Sequence, residues 1–350
     1  MAFGVSYWKF QWLTATPNHH KMKVRINLQN LITPSIFVMI LLFVTNISLW
    51  ITFYFLKHPV EPLTGYVGSN AESFIPANSF WAHLITLVLS LIMVVLIVQA
   101  NNRYAYINTR TFIHTFLYLL ISAFWIEMHG NYIGYFAALC VFLSIYLYFS
   151  MYGNNKATEA SFLGTMFLSI SVFILPQYII FLPLVWIGFY QIRSLSFRTF
   201  FASVFGFIVP WIFIFLFFYL QTDQLVLTPD FSVFFKQIYL ISFDASPRNI
   251  YAALLLLILF ILLFASYKQL NRESVKTRKL LLFFKIIGFG LLTLMVLFPD
   301  DMLSYQPLVI SLYAIISAYT FTYRRTNFYS ILFILLCIFS ATYVLFQLYI

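Results

Sequence analysis

Charge is scarce in this chain: Asp, Glu, Lys and Arg make up 9% of 350 residues, and only 10 of them are acidic. With 62% hydrophobic residues, there is too little polar surface to solvate a globular domain, which excludes the soluble class. Cysteine is nearly missing as well. Cys140 and Cys337 both fall inside apolar runs, where a thiol reads as a small hydrophobe, and no disulfide framework is implied. The six histidines are scattered, and His19-His20 has no partner at metal-ligand spacing, so no metal site is expected. There is no Walker loop, no dinucleotide fingerprint and no nucleophile elbow, which argues against a nucleotide site. Long polar loops are lacking on one side of the chain. The longest inner loop, from Tyr267 to Lys279, has about 12 residues, too few for a soluble catalytic domain.

What the chain does have is apolar runs of membrane length. They span roughly 33–56, 80–100, 111–126, 132–151, 160–175, 177–190, 199–220, 249–267, 280–298, 303–322 and 328–349. The sequence therefore predicts an all-α fold, a polytopic membrane helix bundle of about eleven membrane segments. Residues 1–32 form a cytoplasmic N-terminal segment, and residues 33–350 a single integral-membrane domain. No secretory cleavage pattern follows the first run. Met22-Lys23-Val24-Arg25 offers a second start, which leaves open whether residues 1–21 are translated.

Orientation follows from the cations. With the N-terminus inside, only Lys57, Lys236 and Arg248 of the 20 Lys and Arg residues fall outside, and an inner excess of that size fixes the sidedness. The same rule places the C-terminus outside. The net charge of +10 is spread as single or paired cations in short loops, so it reads as a topology signal, and nucleic acid is not an expected partner. Ionisable groups in the spans are few. Lys285, His83 and His114 are each read as lying near a span end, which lowers the case for an ion-coupled pump.

The stretch ATEASFLGTMFLSISVFILPQYIIFLPLVWIGFYQIRSLSFRTFFASVFGFIVPWIFIFLFFYL, residues 157–220, organises the rest. Lys156 and Arg193 flank one apolar run that Pro176-Gln177 interrupts, so both ends face inward and the chain turns back at the proline. Each arm has about 15 residues, roughly 22 Å of helix against a hydrocarbon core of roughly 30 Å. A short proline-apex hairpin is expected, with a depression open to the outer face above it. Two outer loops are long. Lys57 to Ser79 holds three prolines and two glycines and reads as a turn-rich cap. Within Gln221 to Asn249, Thr228-Pro229 reads as a helix start, followed by Phe231, Phe234, Phe235, Ile238 and Ile241 at helical spacing, an outer interfacial helix. Tryptophans at run ends, such as Trp50, Trp81 and Trp125, read first as interfacial anchors.

The candidate site residues lie on the outer rim. Glu61 and Glu72 in the first outer loop are the candidate catalytic carboxylates. Glu61 is preferred, because Pro59 and Pro62 restrict the backbone around it. Glu127, His129, Asp300, Asp301, Lys236 and Arg248 are candidate substrate-binding residues. A carboxylate beside a membrane cavity can act as general base toward a hydroxyl, while a cation neutralises a phosphate leaving group. The competing reading is that these charges are a solvated loop face.

Residues 157–220 resemble an uncharacterised family of bacterial multi-pass inner-membrane proteins, in which a small-residue helix, a proline, a basic turn and a Gly-x-x-x-Pro helix follow one another. Here the last element is Gly206-Phe207-Ile208-Val209-Pro210. Gln99 to Met151, with its Asn102-Arg103 loop, fits the same pattern. More loosely, the layout is similar to the C-type glycosyltransferases. That resemblance implies transfer of sugar from a polyprenyl-phosphate donor on the outer face, with an acidic base in the first outer loop. Those enzymes carry the acids as a pair or an Asp-x-Asp type motif, whereas Glu61 and Glu72 here are separated by ten residues. Membrane lipid is the expected partner, with a polyprenyl-phosphate-linked sugar as the implied donor. A non-enzymatic subunit or scaffold of an envelope complex, and a lipid or glycan translocator or polymerase, stay open beside this reading. The sequence names no cofactor and no oligomeric state.

Overall fold

The computed structural model describes residues 36–56, 74–107, 112–154, 157–222, 247–266, 273–298, 302–323 and 327–349. Eleven α-helices run through them: α1 Ile36–Phe55, α2 Phe80–Tyr104, α3 Ile113–Phe124, α4 Tyr132–Phe149, α5 Thr158–Ile174, α6 Phe181–Gln191, α7 Phe197–Thr222, α8 Pro247–Ala265, α9 Val275–Leu297, α10 Met302–Tyr323 and α11 Asn327–Tyr349. Two 3-10 turns, Ile126–Met128 and Pro176–Ile180, interrupt the series. No strand occurs among the described residues. Each expected apolar run corresponds to one helix. Six of the helices, α2, α4, α7, α9, α10 and α11, are long and apolar enough to cross a membrane. The helix expected from Thr228 lies outside the described residues.

Polarity is inverted relative to a soluble protein. The least apolar of the six long helices, α10, is also the most buried, whereas α2, α7 and α11 are more apolar and no more than a third buried. Ser304, Gln306, Ser311, Ser317, Thr320 and Thr322 of α10 are all buried. In water this ranking would be reversed, because exposed apolar surface is costly. In lipid the outer face must be apolar, and polar side chains collect inside the bundle.

The helix α10 is the axis of this bundle. Its contacts run to α3, α4, α8, α9 and α11. Around it, α1 packs on α3 and α2, and α6 packs on α9. The described contacts near the helix ends fall into two layers. At one end, Tyr104 donates to the Tyr146 carbonyl at 2.7 Å, Gly153 N–H to the Ile192 carbonyl at 3.2 Å, and Tyr319 to Glu273 at 3.4 Å. At the other end, Tyr132 donates to the Ile75 carbonyl at 3.1 Å, the Tyr178 and Tyr305 rings lie 5.7 Å apart, and Tyr343 donates to Glu127 at 3.2 Å.

The hairpin is present. The helix α5 ends before Pro176, which opens a 3-10 turn, and α6 brings the chain back to Ile192 beside Gly153. Its apex, however, is packed shut. Tyr178 is fully buried against Phe181 and Tyr305, and Gln177 is buried beside it. The depression expected above Pro176 is therefore filled by aromatic side chains. The most extensive helix contact is α5 on α7. There Ser161 and Ser169 donate to the Thr199 and Phe207 carbonyls at 2.7 and 2.6 Å, and Gly206 sits directly against the Phe162 carbonyl. Small residues let two backbones approach this closely in lipid, where close packing rather than water exclusion drives association.

One position differs from expectation. The helix α9 starts at Val275, because Ser274 caps it by accepting from the Thr277 N–H, so Lys285 lies ten residues inside. It is 3% exposed. An ionisable side chain is thus held deep in the bundle rather than near a span end.

Candidate functional site

The layer holding the Pro176 turn and the C-terminal end of α11 also holds Glu127 and His129. The helix α3 stops after twelve residues, and the chain passes through Trp125 and the Ile126–Met128 turn before α4 begins. Asn131 caps α4 by accepting from the Gly134 N–H at 2.9 Å. Gly134 is required here, since a Cβ would stand 2.9 Å from the Ser304 carbonyl.

Glu127 is held by donors from two directions. Trp125 Nε1–H donates to Oε2 at 3.0 Å, Tyr343 donates to both carboxyl oxygens at 3.2 Å, and Gln347 adds a further bond. Burial pushes the carboxyl above its ordinary value, while these three donors act against that rise. Tyr343 in turn stacks on Tyr251 of α8 at 4.1 Å, and Tyr251 bonds Ser340 at 3.0 Å. With its oxygens occupied in this way, Glu127 ties α8 and α11 to the turn.

His129 is fully buried, against the expectation of a rim residue that meets substrate. Its ring stacks on Trp50 of α1 at 3.8 Å, and Nε2 lies 3.2 Å from the Ser122 carbonyl. A carbonyl only accepts, so Nε2 carries the proton. The residue was grouped with the outer rim because it lies two positions after Glu127; the Trp50 indole covers it.

On the far side of Trp50 an open cavity of about 110 Å³ lies between α1 and α2, lined by Trp50, Ile51, Tyr54, Phe55, Phe80, His83, Leu84 and Leu87. Ile51, Phe55, Phe80 and Leu84 are also exposed on the outside of the bundle, so among the described residues the cavity opens sideways. His83 is fixed from behind. Its Nδ1 lies 3.0 Å from the Ser79 carbonyl, which makes Nδ1 the protonated nitrogen and leaves Nε2 as an acceptor in the neutral ring. Ser79 itself caps α2 by accepting from the Ala82 N–H at 3.1 Å.

From the cavity through Trp50, His129, Glu127 and Tyr343 to Tyr251, one aromatic and polar belt crosses this end of the bundle. Arg248 lies in the first turn of α8, three residues before Tyr251. Glu61, Glu72, Lys236, Asp300 and Asp301 lie outside the described residues. The loop with Glu61 and Glu72 joins the two helix ends that form the cavity. Sequence reasoning passed over His83 and took Trp50 as an anchor. The available signal was the Ser79 cap with His83 four residues on, but only the packing of α1 on α2 puts the two rings in one cavity.

Among the described residues no group of three or more His, Cys, Asp or Glu gathers where it could hold a metal. Comparison with protein-family models, with curated proteins and with solved structures finds no match to this chain.

Proposed function

We propose that the chain is an integral membrane protein of the bacterial inner membrane that transfers sugar from a polyprenyl-phosphate donor at the outer face during envelope glycan or glycoprotein assembly. All eleven helices are membrane segments, with the N-terminus cytoplasmic and the C-terminus periplasmic. The observation that carries this reading is the cavity's place. It lies between the two helix ends that the segment with Glu61 and Glu72 connects in sequence, which favours a lipid-borne substrate.

The chemistry assigned there balances without a cofactor. The Glu61 carboxylate takes the proton of an acceptor hydroxyl while that oxygen bonds to the sugar's anomeric carbon. The bond from that carbon to the phosphate oxygen breaks, and its electron pair leaves with polyprenyl phosphate. Arg248 and Lys236 are the cations that neutralise this leaving group, a guanidinium gripping two phosphate oxygens at once. Glu72 is the reserve base, Asp300 and Asp301 add charge to the rim, and Glu127 and the buried His129 brace the Ile126–Met128 turn.

A non-enzymatic envelope subunit is the second reading. Its support is the apolar stripe of α7, with Phe201, Phe205, Ile208, Ile212 and Leu216 all exposed. A translocator has less support, because the α10 axis and the Pro176 apex are packed with side chains.

The deciding variant is Glu61→Gln, expressed at normal membrane abundance and followed by mass spectrometry of envelope glycans. Loss of one sugar from the glycan profile is expected. Unchanged glycans remove the assignment, and loss with Glu72→Gln alone moves the base there.

A further inference from the structure

We infer that the α6–α9 seam, at its end away from the Glu127 belt, seats the phosphate of an anionic phospholipid between Arg193, Lys276 and Lys279. The packing of the two helices sets this up. Gly188 of α6 sits directly against Phe283 of α9, and Gly290 of α9 sits directly against Leu184 and Phe181 of α6. Residue numbers rise along one helix as they fall along the other, so the pair is antiparallel. Arg193 lies five residues beyond Gly188, and Lys279 lies four before Phe283. At ~1.5 Å per residue both stand roughly 6–8 Å from that shared contact, which puts them at the same height. Lys276 and Lys279, seven and four residues before Phe283, share the helix face that Phe283 presents to α6.

The backbone carries an arginine where glycine would be cheapest. The helix α6 closes with Arg193 N–H on the Tyr190 carbonyl at 3.2 Å and Ser194 N–H on the Phe189 carbonyl at 3.0 Å, which leaves Arg193 left-handed at φ 59°, a conformation that favours glycine. Arg193 and Lys276 are exposed and Lys279 is half-buried. Acids to balance them are scarce. Of the 10 Asp and Glu residues in the chain, only Glu159 and Glu273 fall in or beside the segments that join helices at this end, and the Glu273 carboxylate accepts from Tyr319 of α10 at 3.4 Å. Like charges gathered at one height repel, and an anion between them turns that repulsion into attraction. A guanidinium grips two phosphate oxygens, and the two ammonium groups add point charges. The neighbouring side chains select a lipid as the source of the phosphate. Ile187 and Tyr190 on α6, and Val275 beside Lys276, are all exposed. Apolar side chains next to cations match a head group continued by acyl chains at the bilayer surface.

This binding stands apart from the sugar-transfer reading, since none of its residues belongs to that site. The test titrates the full chain in detergent with phosphatidylglycerol and, separately, with phosphatidylcholine, and counts bound lipids by native mass spectrometry. Phosphatidylglycerol is expected to bind roughly tenfold more tightly, the usual size of one hydrogen bond to a charged group. Arg193→Gly removes the guanidinium and relieves the left-handed residue, so it should erase most of that preference while the unfolding midpoint holds. Lys276→Gln combined with Lys279→Gln should lower the preference in the same way. Arg103→Gln is the control. That cation lies at the same end but donates to the Tyr146 hydroxyl of α4 at 3.0 Å, and its loss should leave the preference intact. Equal binding of the two lipids, a preference that survives Arg193→Gly, or an equal loss with Arg103→Gln would overturn the inference. Displacement of the lipid by millimolar inorganic phosphate would overturn it too, because the seat would then take phosphate alone.

Discussion

Gly206→Ala is expected to destabilise the bundle by about 3 kcal/mol, the upper end of what overpacking costs, read as a lowered unfolding midpoint in detergent and reduced membrane abundance. The added methyl would meet the Phe162 carbonyl on α5, and backbone cannot swing aside as a side chain can. Relief requires α5 and α7 to separate, which loses the bonds from Ser161 to the Thr199 carbonyl and from Ser169 to the Phe207 carbonyl. Pro210, four residues on, supplies no N–H to the Gly206 carbonyl, so this part of α7 is already short of one internal hydrogen bond. Gly288→Ala is the control. The nearest atoms to its new methyl are 3.7 Å away, ordinary contact, and its effect should stay within about 0.5 kcal/mol. Equal stability of the two variants would show that α5 and α7 do not approach as described.

Glu127→Ala is expected to cost a similar amount, about 3 kcal/mol, because it strands the buried donors of Trp125 and Tyr343. Tyr343→Phe alone should cost about 1 kcal/mol. The pair should be far from additive, since both changes break the same bonds. The carboxyl also predicts a pH dependence. Burial raises it above its ordinary value of 4.5, so the folded chain holds this proton more tightly than the unfolded chain does. The stability this group contributes is therefore greatest below pH 4.5 and is lost as pH rises through the raised value. Glu127→Gln should flatten that slope in thermal unfolding measured across the mildly acidic range. Full additivity, or an unchanged slope, would contradict the contact.

The helix order was legible because each lipid-facing segment must be an uninterrupted apolar run, whatever it packs against. The turn at Pro176 was legible for a similar reason, as flanking cations and a missing N–H both act locally. What the sequence hid is long-range. The space above Pro176 is filled by Tyr178 meeting Tyr305, a contact between residues far apart in the chain. His129 is covered by Trp50 from a helix that precedes it by one complete hairpin. The depth of Lys285 was misjudged because hydropathy begins at Leu280, whereas the Ser274 cap starts the helix at Val275 and carries Lys276, Arg278 and Lys279 as its polar first turns. Of the candidate site, the sequence picked out Glu127 by its charge. It missed His83 and Trp50, which become neighbours only when α1 packs on α2.

Everything assigned to the outer face depends on which end of the bundle it is. The described contacts put the cavity, Glu127 and the C-terminal turn of α11 in the same layer. One thiol placed at Ile350, in a chain with Cys140 and Cys337 replaced by Ala, therefore reports the side of the whole site. A membrane-impermeant maleimide added to intact spheroplasts is predicted to label it fully, with no further labelling after lysis. Protection in spheroplasts and labelling only after lysis would place the cavity and Glu127 on the cytoplasmic side and contradict the account.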